Sequence, residues 1–277
     1  MKIPAGDGYR VGYMDVEIEV PKGTYLFVGA GRTAPLDGGL ISLPYSYYQI
    51  RDLFELGKYK EVVADIDIPG SSVKGSIRSI LELSLEDACI LYKDEPAAES
   101  KRWRKVLQRL GIDLRTRRKG PCGDCPVCKM FGYARSDRSE ASSFEFSDFL
   151  GRGVRLGILE LAHHRGLERL LAVMPENTFL GRISFVARDE EIGLLSTVMF
   201  DSEQLPLGFK RLRKENGIVF GRVVFRLGDL KFMEIERGPK FVDGDLGKLK
   251  RKAMESFGDR FRRYDFIRAI EEVNEFG

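Results

Sequence analysis

Two stretches of this chain combine residue types that could do chemistry. Residues 68–78 read IPGSSVKGSIR. A small-residue turn (Pro69, Gly70, Ser71, Ser72) runs into an apolar-periodic helix marked by Val73, Ile77, Ile80 and Leu81. Ser71 or Ser72 is expected to cap that helix by accepting a backbone N–H bond. Exposed N–H groups and the dipole at a helix start attract anions. Lys74 and Arg78 stand four residues apart and so share one helix face. Hydroxyls, small residues and two cations together suit a phosphate group. Taken alone, the same segment also fits an ordinary capped helix with a solvated basic face.

The second stretch is CGDCPVC, with Cys122, Cys125 and Cys128. Glycine and proline between the thiols let the loop fold back, so three sulfurs can meet one ion. Zinc takes four tetrahedral ligands. Cys89, the remaining cysteine, is a candidate fourth, with His163 or His164 as alternatives. A ferredoxin-type iron–sulfur run would need a cysteine at position 132, which is Gly132. The spacing therefore points to a structural zinc ion without catalytic duty, against a metal-free thiol cluster.

Other candidates are less specific. His163 and His164 are the only histidines, and either could act as a general base on RNA. Asp37 sits in PLDGG, where glycines would let it project toward a ligand, with Asp15 and Asp65 as alternatives. Residues 207–223, LGFKRLRKENGIVFGRV, set Lys210, Arg211 and Arg213 among glycines. Such a basic loop can lie along a phosphate backbone.

The elements that must hold these groups are mixed. Residues 11–20 alternate apolar and polar as a half-buried strand does. Residues 24–29 and 62–68 read as strands, and 30–39 as a glycine-rich irregular loop. Residues 43–58 include a short helix. A helix is expected from Val73 to about Leu91, followed by a basic helical stretch over 93–120. Strands are expected at 142–150, 154–161, 178–187 and 218–227, with a polar link over 162–177. A short helix is placed in 188–201, and the tail from Leu246 has helical spacing. The order fits a ferredoxin-like α+β core with insertions.

The chain has 277 residues, enough for one elaborated domain. Charged residues make up 31% of it, yet the net charge is only +3, which argues against a tail-type polycation. Charge is instead segregated. Residues 101–119 carry nine Lys or Arg and one acid, Asp113. Many charges with few Asn and Gln suit a thermophile. The start, MKIPAGDGYR, lacks an apolar leader core, and no run is long enough to span a bilayer. A cytoplasmic protein without a membrane partner is expected.

Several segments resemble one family. IPGSSVKGSIRSIL is similar to the signature of the RAMP superfamily of CRISPR-associated proteins. CPVCKMFG resembles the cysteine-plus-FG segment of its type III members, and SSFEFSDF the strand that follows. LERLLAVMPENTFLGRISF and LGFKRLRKENGIVFGRV resemble the stretch after the thumb and the glycine-rich loop, in family order. The likeness is greatest to the backbone subunit of type III effector complexes.

That resemblance implies an RRM-like palm spanning the single domain 1–277. A helical, zinc-binding insertion is expected at 93–141 and a thumb hairpin within 154–182. Ser71, Ser72, Lys74 and Arg78 would hold guide-RNA phosphates, with Lys210, Arg211 and Arg213 on the basic loop. Cys89, Cys122, Cys125 and Cys128 would hold the zinc. Partners would be guide RNA, complementary target RNA, other CRISPR effector subunits and self-stacking copies or paralogues. Asp37 would promote cutting of target RNA by a ribose 2′-hydroxyl, aided by a divalent cation such as magnesium. Here the chain departs from the pattern, because SLP (42–44) follows Ile41, leaving Asp37 offset. Endoribonuclease activity is therefore left open. Two alternatives stand beside this reading: a guide-processing endoribonuclease using His163 or His164, and a zinc-stabilised interaction module without RNA.

Overall fold

The computed structural model describes residues 8–36, 39–44, 61–91, 98–163, 166–208, 214–215, 218–234 and 239–275. The first long strand is β1 (Tyr9–Glu19), followed by β2 (Thr24–Tyr25). β3 (Gly29–Leu36), β4 (Gly39–Pro44) and β5 (Glu61–Ile68) precede the helix α1 (Gly70–Ser84). α2 (Ala98–Arg109) and the short α3 (Pro126–Phe131) lead into β6 (Tyr133–Ala134), β7 (Ser139–Glu140) and β8 (Phe144–Phe146). β9 (Phe149–His163), β10 (Gly166–Val173) and β11 (Thr178–Arg188) follow, then α4 (Asp189–Phe200). The rest is β12 (Leu205–Pro206), β13 (Lys214–Glu215), β14 (Ile218–Phe220), β15 (Arg222–Glu234), β16 (Lys240–Asp243), α5 (Leu246–Phe257) and α6 (Phe266–Glu275). The protein is thus mixed α and β, built on one large sheet.

The path of that sheet runs β12-β15-β1-β11-β9-β10-β4-β3, with β5 paired to β9, β8 to β11 and β16 to β15. β1 lies between β11 and β15, antiparallel to both. Its alternation follows from that position: Met14, Val16 and Ile18 are buried, while Tyr13, Asp15, Glu17 and Glu19 point to the other face. Helix α4 covers the Met14 side, where the Ser196 hydroxyl reaches the Met14 sulfur at 3.8 Å. The opposite face is open. On it Asp15 receives two bonds from Arg182, at 2.7 and 3.0 Å, and Glu19 pairs with Arg226 at 2.6 Å. Such exposed pairs contribute little to stability.

Three expectations are corrected here. Residues 30–36 form part of a strand, because the β3–β4 hairpin finds an edge partner in β10. The span 162–177 is no polar link, since β10 doubles back on β9 from Gly166↔His163 to Val173↔Leu156. α1 starts at Gly70 and ends at Ser84, short of Leu91. The chain leaves the helix there because Leu85 turns extended to pair with Phe261. The helix expected within 43–58 falls largely outside the described residues. Among the described residues no helix is long and apolar enough to cross a membrane.

Candidate anion-binding helix start and thiol cluster

The serine–glycine bend lies between β5 and α1, and the sheet dictates its shape. β5 ends where Ile68 pairs with Phe149 of β9, and Pro69 takes the N-cap position with φ −57°. Gly70 is buried against the neighbouring strand. A Cβ there would sit 2.2 Å from the Phe146 carbonyl oxygen and 2.4 Å from that of Ser147. Only a residue without a side chain fits that approach.

The expected serine cap is not formed. Ser71 and Ser72 already lie inside the helix, one and two residues past its first position, so neither side chain reaches back to cap it. The carboxylate of Asp148 does the work from outside, accepting the Gly70 N–H at 2.9 Å. The Ser72 amide bonds to the Pro69 carbonyl at 2.9 Å. Ser71 is exposed, and among the described residues its amide has no protein acceptor. Sequence reading missed Asp148, and the pattern FSDFL offers no signal for it.

Lys74 and Arg78 share a face, as their spacing required, but their surroundings differ. Lys74 is half-buried and has no ion-pair partner among the described residues. Burial, and then the neighbouring Arg78 charge, lower its pKa, against a smaller opposing effect of the Glu145 carboxylate. Such an ammonium is under-solvated and gains from any anion brought to it. Arg78 is engaged instead. Its Nε donates to Glu82 Oε1 at 2.8 Å and its Nη1 to the Gly132 carbonyl at 2.9 Å. Glu82 is buried at 4% exposure, and its second oxygen accepts the Leu91 amide at 3.1 Å. Burial raises the Glu82 pKa against the lowering effect of those two bonds.

The four cysteines meet beside this helix. Cys89, Cys122, Cys125 and Cys128 are all buried, with their sulfurs within 4.8 Å of one another. Cys89 Sγ lies 3.3 Å from Cys128 Sγ and 3.7 Å from Cys125 Sγ. Tetrahedral zinc thiolates place their sulfurs about 3.8 Å apart, so the donor set could hold one zinc ion. Cys89 supplies the fourth thiol of the group. Hydrogen bonding from the Cys89 thiol, together with nearby amides, pulls the Cys125 pKa down to about 4. That same bond, with burial, raises the Cys89 pKa. The knuckle is built locally: Pro126 starts α3, and Gly132 ends it at φ 74°. The Cys125 amide also donates to Cys122 Sγ at 3.3 Å, a bond that shapes such knuckles.

Of the other candidates, Asp37, Lys210, Arg211, Arg213 and His164 lie outside the described residues, as does the side chain of His163. Asp65 bonds to Arg152 at 2.7 Å and to the Gly153 amide at 2.9 Å, while Asp15 is held by Arg182. Both carboxylates are therefore already partnered.

The family model of the RAMP superfamily matches residues 24–258, and the chain belongs to that superfamily. No curated protein matches it. Among solved structures it is similar to a chain of a type IV-B CRISPR complex, with TM-score 0.40 and 16% identity, over 78% of this chain and 90% of that one. It is similar to Thermofilum pendens Csc2 at TM-score 0.40 and 14% identity, over 99% and 87% of the two chains. A Csm3–Csm4 subcomplex of the type III-A CRISPR-Cas interference complex matches at TM-score 0.40 and 19% identity, over 89% and 97%.

Proposed function

We propose that this chain is an RNA-holding backbone subunit of a CRISPR effector complex of type III character. The observation that carries the reading is Lys74: a half-buried ammonium in no salt bridge among the described residues, with only the Glu145 carboxylate acting on it from farther off, one turn from a helix start whose exposed Ser71 amide has no protein acceptor among those residues. That pairing of a desolvated cation with a free N–H suits a phosphate oxygen of a guide RNA. Ser71 and Ser72 add hydroxyls beside it, and Lys210, Arg211 and Arg213 are the further cations proposed to contact the guide.

The strand order β15-β1-β11-β8, with α1 and α4 in the covering layer, supports a ferredoxin-like, RRM-like palm. In this reading the β9–β10 hairpin serves as the thumb and the four cysteines hold zinc. A closed set of four thiols leaves the ion no open position, so it braces the insertion and does no chemistry. Partners are the guide and its complementary target RNA, further CRISPR effector subunits and stacked copies or paralogues.

Lys74→Ala is expected to weaken single-stranded RNA binding whatever its sequence, and to lower the salt slope of log K by about one. Fluorescence anisotropy across a potassium chloride series reads both, and an unchanged slope would remove Lys74 from the interface. If the subunit also cuts, Asp37 with a magnesium-type cation is the site. Asp37→Asn should then slow target cleavage by about a hundredfold or more with binding intact. Equal cleavage by the variant would clear Asp37 of that role.

A further inference from the structure

Three connections run from α1 to the thiol cluster, and each grips it at a different point. The Glu82 carboxylate accepts the amide of Leu91, two residues beyond Cys89. Arg78 donates to the carbonyl of Gly132, which closes the helix carrying Cys128. Arg117, five residues before Cys122, donates through Nη2 to the carbonyls of Glu82 and Leu85. The first two connections share one ion pair, Arg78–Glu82, whose side chains are only 16% and 5% exposed. Arg78 Nη2 is itself buried and has no acceptor among the described residues, and the same holds for Arg117 Nε.

This arrangement has a mechanical meaning. Lys74, Arg78 and Glu82 follow one another at four-residue spacing on one face of α1. The upper end of that row faces the anion-binding start, and the lower end is tied into the cysteine knuckle. A buried guanidinium with two fixed partners is poorly placed to leave them for a phosphate, because leaving would strand the Glu82 carboxylate. A planar fork bonded on two sides also fixes direction as well as distance.

We infer that Arg78 and Glu82 are positioning residues, a strut through which the ordered, metal-loaded cysteine knuckle holds α1 in the register that RNA binding needs. Arg78 is thereby moved from phosphate ligand to support for Lys74 and the helix start. The RNA half of this inference rests on the function proposed above; the mechanical half does not.

The test uses the full chain, as purified and after metal removal with a strong chelator, in the wild type, Arg78→Lys and the near-isosteric Glu82→Gln. Hydrogen exchange at the α1 amides reports the strut directly. In the wild type, stripping the metal is expected to speed exchange in α1 by about tenfold or more. In both variants exchange is expected to be fast already, and chelation to add little. Zinc content, read by cobalt substitution and its thiolate absorption, should survive in Glu82→Gln.

RNA affinity, measured with a labelled single-stranded oligonucleotide, should fall about tenfold in Arg78→Lys. Its salt slope should stay unchanged, because no phosphate contact is lost. A slope reduced by about one, or retained affinity in Arg78→Lys, would return Arg78 to the phosphate site and overturn the strut. Equal effects of chelation on α1 exchange in wild type and variants would also overturn it. If the wild type binds no RNA at all, the proposed function fails while the exchange data still decide the strut.

Discussion

Gly70→Ala should unfold this protein more readily by about 3 kcal/mol, although it adds a single methyl group. The new Cβ would stand 2.2 and 2.4 Å from two backbone carbonyl oxygens, those of Phe146 and Ser147. Neither can swing away as a side-chain tip would. Phe146 is paired with Ile183 of β11, and the Ser147 amide bonds to the Arg182 carbonyl at 2.9 Å. The helix start must therefore lift off the sheet. Lifting it breaks the 2.9 Å bond from the Gly70 amide to Asp148 and displaces Ser71, Ser72 and Lys74 together. Urea unfolding should show the loss of stability, and RNA affinity should fall with it. Gly75→Ala is the matched control, because nothing lies within 4 Å of a Cβ there. It should be neutral or slightly stabilising. If the two substitutions behaved alike, the tight seating of α1 on β8 would be wrong.

The second large effect is expected at the cysteines. Cys125→Ser should cost on the order of 4 kcal/mol and abolish the metal binding proposed for the cluster. Cys125 is one of four thiols whose sulfurs lie within 4.8 Å of one another, and its Sγ is 3.7 Å from that of Cys89. All four sulfurs belong to the hydrophobic core, alongside Val73, Ile77 and Phe131 of α1 and α3. If the cluster holds zinc as proposed, losing the ion would leave uncompensated polar groups inside that core and free the chain from Cys89 to Gly132. Structural zinc contributes folding free energy directly, since a preformed site rarely exists in the unfolded chain. Metal analysis of the purified protein and thermal unfolding with and without chelator check this. Zinc-free protein with an unchanged transition would leave only a packed thiol cluster.

Some of this was legible in the residues alone. Alternation in VGYMDVEIEV announced a strand with one buried face, because side chains on a strand change sides at every step. The four-residue spacing of Lys74 and Arg78 placed them on one helix face without reference to anything else. Three cysteines in CGDCPVC permitted convergence, since the glycine and proline between them let the loop fold back. Cys89 was the candidate fourth thiol, and the structure brings it to the others.

Tertiary structure alone decided the rest. Asp148 caps α1 from 78 positions away, and no local pattern marks a residue that acts through a neighbouring strand. Nor does the spacing of Lys74 and Arg78 say which cation is left without a partner. That depends on Glu82 and Gly132 arriving around the Arg78 guanidinium and not around the Lys74 ammonium. β3 and β10 were unreadable for a related reason: weak local preference is overridden when a sheet edge offers hydrogen-bond partners. Periodicity and short spacing are properties of a local stretch of chain and survive in the sequence. Desolvation, and who pairs with whom, depend on distant segments and appear only when the chain has folded.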